Sequence, residues 1–353
     1  MIILSIESSC DETAAAIVKE GRIVLSDIVH SQVKLHAKWG GVVPEIASRN
    51  HLIEVIPVID QALKQAEVTW ADIDAIAVTQ GPGLVGALLV GLQVAKSLAY
   101  VHQKPLIPVH HLRGHLSAVA LHAPNEAQPK VPEYPFLALV VSGGHTAIYR
   151  VDSSHDIKII SNTQDDAAGE AFDKVSRMLG LGYPGGPVIE KEAVGGQDDA
   201  HRFTLPNIKA APLDFSFSGL KTAVLTKIKK HGKLPTGQDQ KDLLASFQAA
   251  AVHQLVTRCT EAMKQEQVLR LVVSGGVACN QRLREQLQTA VEALEGQVFI
   301  PPKKWCTDNA AMIAAAAYAQ ANLYVKRGAH ADDDLLNAMS SWAVDYFVEP
   351  LGI

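Results

Sequence analysis

The sequence predicts an α/β protein of two similar lobes with a cleft between them, and three observations carry that prediction. The six residues LVVSGG occur twice, at 139–144 and 271–276. Each copy is a short apolar run ending in glycines, the pattern of a buried parallel strand, and an identical repeat points to duplication. Residues 2–30 and 136–161 also share one layout of apolar strand, small polar tip, strand, turn and strand. Later, the stretches beginning at Ile73 and Leu269 both read as strand, glycine-rich loop and helix. Two repeats of this kind make two similar α/β lobes rather than one.

In order along the chain, IILSI (2–6) is a strand, ESSCDET is a polar tip, and AAAIVKEGRIVLSDIVH is strand, turn at Glu20-Gly21, and strand. IDAIAVTQGPGLVGALLVGLQVAKSLA follows as strand, Gly-Pro-Gly loop and apolar helix. A proline-rich stretch, 124–135, separates the halves. Gly143-Gly144 leads into HTAIYRV and so marks a hairpin tip. Gly275-Gly276 leads into VACNQRLREQLQTAVEAL, whose apolar residues recur at helical spacing. The expected organisation is a first lobe over 1–110, completed by the alanine-rich helix 309–327, and a second lobe over 136–308 with an insertion at about 162–235. The tail, 328–353, is poorly patterned. The whole resembles the actin, sugar-kinase and heat-shock ATPase superfamily. That resemblance implies that the tips 7–13 and 142–146 face phosphates and the loop 274–280 faces adenosine.

Composition narrows the function classes. With 353 residues and 48% hydrophobic residues the chain can bury two cores. A net charge of −5 argues against a free-standing nucleic-acid binder. MIILSIESSCDE lacks a basic leader region. The apolar stretch 84–100, interrupted by Gln93 and Lys96, is expected to be too short to span a bilayer, so no membrane is expected. Four cysteines without a CxxC pair fit a reducing, cytoplasmic setting.

His111 and His115, in HHLRGH, stand four apart, so on a helix both imidazoles share a face and can chelate a metal. With 14 histidines in the chain, a plain helix-lining pair is the competing reading. The zinc-protease motif HExxH needs a general-base Glu where Leu112 stands, which disfavours a metalloprotease. Asp308 precedes the alanine-rich helix; with Thr307 it reads first as an N-cap, and otherwise as the carboxylate of a two-His, one-carboxylate site. Asp166, Glu170 and Asp173 form one acidic helix face, either solvated or aimed at ribose hydroxyls. The GYPGGP loop, 182–187, allows close backbone approach or is an ordinary turn. Asp11 and Glu12 at the first tip can position a metal, a water or a reacting amine; at a turn they are also commonplace.

Taken together, IESSCDET, GGVVPEIASRNH, TQGPGLVGALLVG, PVHHLRGH, LVVSGGHT, DDAAGEAFDKVSRMLGLGYPGGP, FSFSGLKTA, SGGVACN and CTDNAAMIA occur in family order from residue 2 to about 330. They resemble the bacterial tRNA adenosine threonylcarbamoyltransferase family (TsaD), once misnamed a sialoglycoprotein endopeptidase. Ser8 stands where Thr is usual, and Arg113 where an acid is frequent; neither alters a ligand. The resemblance implies transfer of threonylcarbamoyl from threonylcarbamoyl-adenylate to the N6 amine of the adenosine beside the anticodon, in tRNAs reading codons that start with adenosine, with AMP released. It implies a divalent metal, Fe(2+) or Zn(2+), on His111, His115 and Asp308. Adenine-nucleotide binding falls to Val140, Val141, Ser142, Gly143, Gly144, Asp173, Gly186, Glu190 and Asn280, with Asp11 beside the reacting centre as base or amine-orienting group. Implied partners are tRNA, the paralogous subunit TsaB, the small ATPase TsaE and a threonylcarbamoyl-adenylate synthase. Basic runs at Lys227, Lys229, Lys230 and Lys233 and at Lys303-Lys304 are candidate phosphate contacts or ordinary solvated charge. An ATPase or sugar kinase of the same superfamily is the competing function; it has no need of HHLRGH with CTDN.

Overall fold

The structure, a computed structural model, describes residues 1–206, 208–327 and 336–344. Of the tail, 328–335 and 345–353 lie outside the described residues. The elements begin with β1 (Ile2–Glu7), β2 (Glu12–Lys19), β3 (Ile23–Ser31), α1 (Val33–His36) and α2 (Pro44–Ala66). β4 (Ala75–Gly81), α3 (Val85–His102), β5 (Leu106–His110) and α4 (His111–Ser117) follow. Next come β6 (Phe136–Val141), β7 (Thr146–Val151), β8 (Ile157–Asn162), α5 (Ala168–Met178), α6 (Gly185–Glu192), α7 (Ser218–His231) and α8 (Gln238–Glu266). The series closes with β9 (Arg270–Ser274), α9 (Gln281–Glu292), β10 (Gln297–Phe299) and α10 (Ala310–Arg327).

Two compact units result. The first comprises Met1–His36, Val42–Val131 and the described part of Lys304–Ile353; the second comprises Ala37–Gly41 and Pro132–Lys303. The first unit's sheet has the order β3-β2-β1-β4-β5 and the second's β8-β7-β6-β9-β10. In each, an antiparallel three-strand meander continues through two parallel strands. The likeness of the two halves therefore lies in topology, as in the actin and sugar-kinase superfamily. It does not lie in LVVSGG. Both copies sit in the second unit, on the adjacent parallel strands β6 and β9, with Leu139 opposite Val273. Neighbouring strands covered on both faces both favour Val/Leu-rich runs, and that shared requirement accounts for the apolar LVV in each copy.

Strand alternation sorts the first unit's core. Ile3, Ala14, Ala16, Ala75, Ala77 and Ile107 point to one face, under Ala310, Ala314, Ala317 and Ala321 of α10. Alanine opposite alanine brings α10 close to the sheet. Leu4, Ile6, Ile17 and Ile76 point to the other, under Val55 and Ile59 of α2 and Leu92, Ala95 and Ala99 of α3. α2 starts at a proline with Glu45 in its first turn and ends on Glu67 in a left-handed conformation, φ 54°. α3 corrects one expectation: at 18 residues it is long and apolar enough to cross a membrane by length and composition alone. Its apolarity has a local cause, since Leu92, Ala95 and Ala99 are fully buried in this core.

Candidate functional site

In the first unit, HHLRGH straddles the end of β5 and the start of α4. His110 caps the helix, its Nδ1 accepting the Leu112 N–H at 3.1 Å. His111 and His115 therefore fall one turn apart on one face, both buried. Gly114 lies against Met312 and Ile313 of α10, where a Cβ would overlap both side chains. That close packing sets the loop before α10 beside the histidines.

In that loop the competition for the helix cap is decided against Asp308. Asn309 is the cap: its Oδ1 accepts the Met312 N–H at 2.9 Å. Asp308 Oδ1 instead lies 3.2 Å from His115 Nε2 and 3.6 Å from His111 Nε2. One ligand atom from each of the three residues lies within 4.8 Å of the others. His115 Nδ1 is out of water with no hydrogen-bond partner, and Nε2, though 3.2 Å from Asp308 Oδ1, makes no well-aligned hydrogen bond; a buried group left unpaired costs roughly 1–3 kcal/mol. A cation taken by Nε2 relieves part of that cost, and an N₂O donor set suits zinc or ferrous iron. The residues fit a metal.

Behind His111 stands a residue that sequence reading passed over. Glu7, at the end of β1, is fully buried. Its Oε2 accepts from the Thr79 hydroxyl at 2.6 Å and lies 3.0 Å from His111 Nδ1, while Oε1 accepts the Ser9 N–H. Burial drives His111 toward neutrality, but the Glu7 and Asp308 charges outweigh it and raise the imidazole to about 9. The only signal in the sequence was an acid closing an otherwise apolar strand.

The tip between β1 and β2, which carries Asp11, is pinned from α2. His51 Nε2 donates to the Cys10 carbonyl at 2.9 Å, so its Nδ1 accepts the Thr13 hydroxyl at 2.7 Å. The Asp11 carbonyl accepts the Gln32 N–H at 3.0 Å. Desolvation and then the charges of Asp11 and Asp308 push the Glu12 carboxyl well above its ordinary range. Glu12 at the tip thus feels the carboxylate of the triad. The described piece of the tail also belongs here: Met339 N–H donates to the Gln80 carbonyl at 2.8 Å, and Arg113 donates to the Val344 carbonyl at 3.0 Å.

The second unit gathers the glycine-rich stations. Val140 and Val141 are buried on β6, so only their backbone is available to a ligand. Ser142 closes a tight tip with His145, while Gly143 and Gly144 are exposed and have open space where a Cβ would stand. The Gly169 N–H, in the first turn of α5, donates to the Ser142 carbonyl at 3.1 Å. Gly275 reaches φ 98° under the Val141 carbonyl, a conformation and a space that admit only glycine. Asp173 accepts the Gly185 N–H at 2.6 Å and so joins α5 to the start of α6. Gly186 is open; Glu190, further along α6, accepts the Gln281 N–H at 2.6 Å. Asn280 caps α9 through the Leu283 N–H at 3.0 Å and donates to Gln248 at 2.9 Å. Of the acidic face read from the sequence, Asp166 and Glu170 are spent on Lys174.

The model of the tRNA N6-adenosine threonylcarbamoyltransferase family matches residues 23–315. A tRNA N6-adenosine threonylcarbamoyltransferase of Trichlorobacter lovleyi is 52% identical over 98% of this chain and 97% of its own. One of Anaeromyxobacter sp. strain Fw109-5 is 53% identical over 97% and 99%. Among solved structures, HypF of T. kodakarensis overlays 94% of this chain and 49% of its own at TM-score 0.62 and 14% identity. At that identity the likeness concerns the fold.

Proposed function

The chain belongs to the tRNA N6-adenosine threonylcarbamoyltransferase family and is a transferase that modifies tRNA; we propose that His111, His115 and Asp308 hold one divalent metal, Fe(2+) or Zn(2+), at its catalytic centre. The observation that carries this reading is the triad itself: two buried imidazoles facing one carboxylate, with a ligand atom from each within 4.8 Å of the others. The donor is threonylcarbamoyl-adenylate. When bound, the metal supplies Lewis-acid polarisation of the donor's carbonyl or phosphate oxygens.

The chain's own residues do the rest. The backbone N–H groups of Gly143 and Gly144 meet negative charge on the adenylate, which their open tip supports. Val140, Val141, Ser142, Asp173, Gly186, Glu190 and Asn280 shape the remainder of the adenine-nucleotide site. Glu190 and Asn280 act mainly by holding the start of α9, because their polar atoms are engaged there. Asp11 accepts a proton from the adenosine N6 amine as the new C–N bond forms and the bond to the AMP oxygen breaks. The tRNA phosphates fall to exposed lysines such as Lys229, Lys230 and Lys303, a share too small for an acidic chain to act alone.

The paralogue TsaB then fits the exposed apolar face of α2 and α3, where Leu52, Ile53 and Ile56 are 65%, 67% and 54% exposed beside Val85 and Leu89. TsaE and the donor synthase complete the proposed system, and a tRNA substrate supports a cytoplasmic location. The test is transfer of labelled threonine to tRNA, with synthase and partner subunits supplied. Wild type is expected to label the anticodon-loop adenosine and His111→Ala to lose the label; equal labelling by both removes the metal centre from the mechanism.

A further inference from the structure

We propose that Glu7 is a positioning residue of the metal centre, fixing the tautomer and ring orientation of His111 so that Nε2 is presented to the ion. This rests on the reading of His111, His115 and Asp308 as metal ligands. A carboxylate only accepts hydrogen bonds, so in the neutral, ligating form of His111 the remaining proton must sit on Nδ1, 3.0 Å from Glu7 Oε2, a metal displacing the proton that the ion-free imidazolium carries on Nε2. The lone pair is then on Nε2, the nitrogen nearest Asp308. An outer carboxylate on a ligating imidazole is the arrangement that fixes ring and tautomer in metal sites generally.

The surroundings of Glu7 leave it little other role. It is fully buried at the end of a central strand, with β2 on one side and β4 on the other. Its two oxygens take three donors: the Ser9 N–H, the Thr79 hydroxyl and His111 Nδ1–H. Glutamine at this place sets an NH₂ against one of those donors, and if it turns toward His111 it selects the tautomer that cannot ligate through Nε2. His115 has no such support, since its Nδ1 lacks a hydrogen-bond partner. His111 Nδ1 also lies 3.2 Å from the Ser9 hydroxyl, but a hydroxyl can donate or accept, so of the two partners only Glu7 fixes the tautomer of His111.

The experiment is titration of metal-stripped full-length protein with Co²⁺, in wild type, Glu7→Gln, His111→Ala and the double variant, with far-ultraviolet circular dichroism confirming the fold. Glu7→Gln is expected to weaken Co²⁺ binding roughly 10- to 100-fold. In the His111→Ala background the same change is expected to add nothing, because Glu7 acts through that ring. Affinity within twofold of wild type for folded Glu7→Gln overturns the proposal, and so does an equal loss in both backgrounds. If Glu7→Gln does not fold, Thr79→Val tests the same oxygen: a roughly three- to tenfold loss restored by Thr79→Ser supports the proposal, and unchanged affinity overturns it. Wild type that takes no Co²⁺ sinks the metal reading itself, a result distinct from all of these.

Discussion

Asp27 on β3 offers a pH-dependent test of how the loop before α10 is held. Its carboxyl sits near the backbone N–H groups of Ala310 and Ala311 and the Trp305 indole, yet Oδ1 is out of water and unpartnered. Desolvation wins over the attraction of those donors and lifts the carboxyl from 3.8 to about 6. The folded state therefore binds this proton more tightly than the unfolded chain does. The contribution to stability is present in full below pH 3.8 and is lost as pH rises through about 6. A proton held that much more tightly in the fold corresponds to about 3 kcal/mol, trimmed to about 2–3 kcal/mol because the residue is partly exposed. Asp27→Asn keeps an acceptor oxygen for the helix N-terminus and cannot ionise. Relative to wild type it is expected to gain about 2–3 kcal/mol between pH 4 and pH 7. The measurement is the opening free energy of α10 amides by hydrogen exchange in metal-stripped protein, which reports on the first unit alone. A wild-type-to-variant difference that stays flat across this range refutes the reasoning.

Two further outcomes are expected. Gly275→Ala forces a Cβ onto the Val141 carbonyl at φ 98° and should cost roughly 2–4 kcal/mol while abolishing AMP binding, read by thermal unfolding and calorimetry; an unchanged unfolding midpoint contradicts it. Ile53→Glu puts a charge in the centre of the exposed α2–α3 face and should abolish co-elution with TsaB without changing Co²⁺ affinity; retained co-elution shows that the paralogue docks elsewhere.

Much of this protein was legible in the order of its residues. Alternating and continuous apolar runs marked the strands of both sheets, because burial on one or two faces leaves a period that survives in the sequence. The tips at Asp11 and Gly143 were visible as breaks in those runs. The four-residue spacing of His111 and His115 placed two ligands on one face, because that geometry is internal to a single helix. Tertiary structure alone decided matters that join distant segments. Thr307, Asp308 and Asn309 are all chemically able to cap α10, and only the backbone path makes Asn309 the cap and turns Asp308 toward the histidines. Glu7 and His111 are 104 residues apart, and no local pattern distinguishes a strand-ending acid that orients an imidazole from one that meets water. The two LVVSGG stretches look like duplicated halves in one dimension and prove to be neighbours in one sheet. Sequence period reports how deeply a segment is buried; which segments share that interior follows only from the fold.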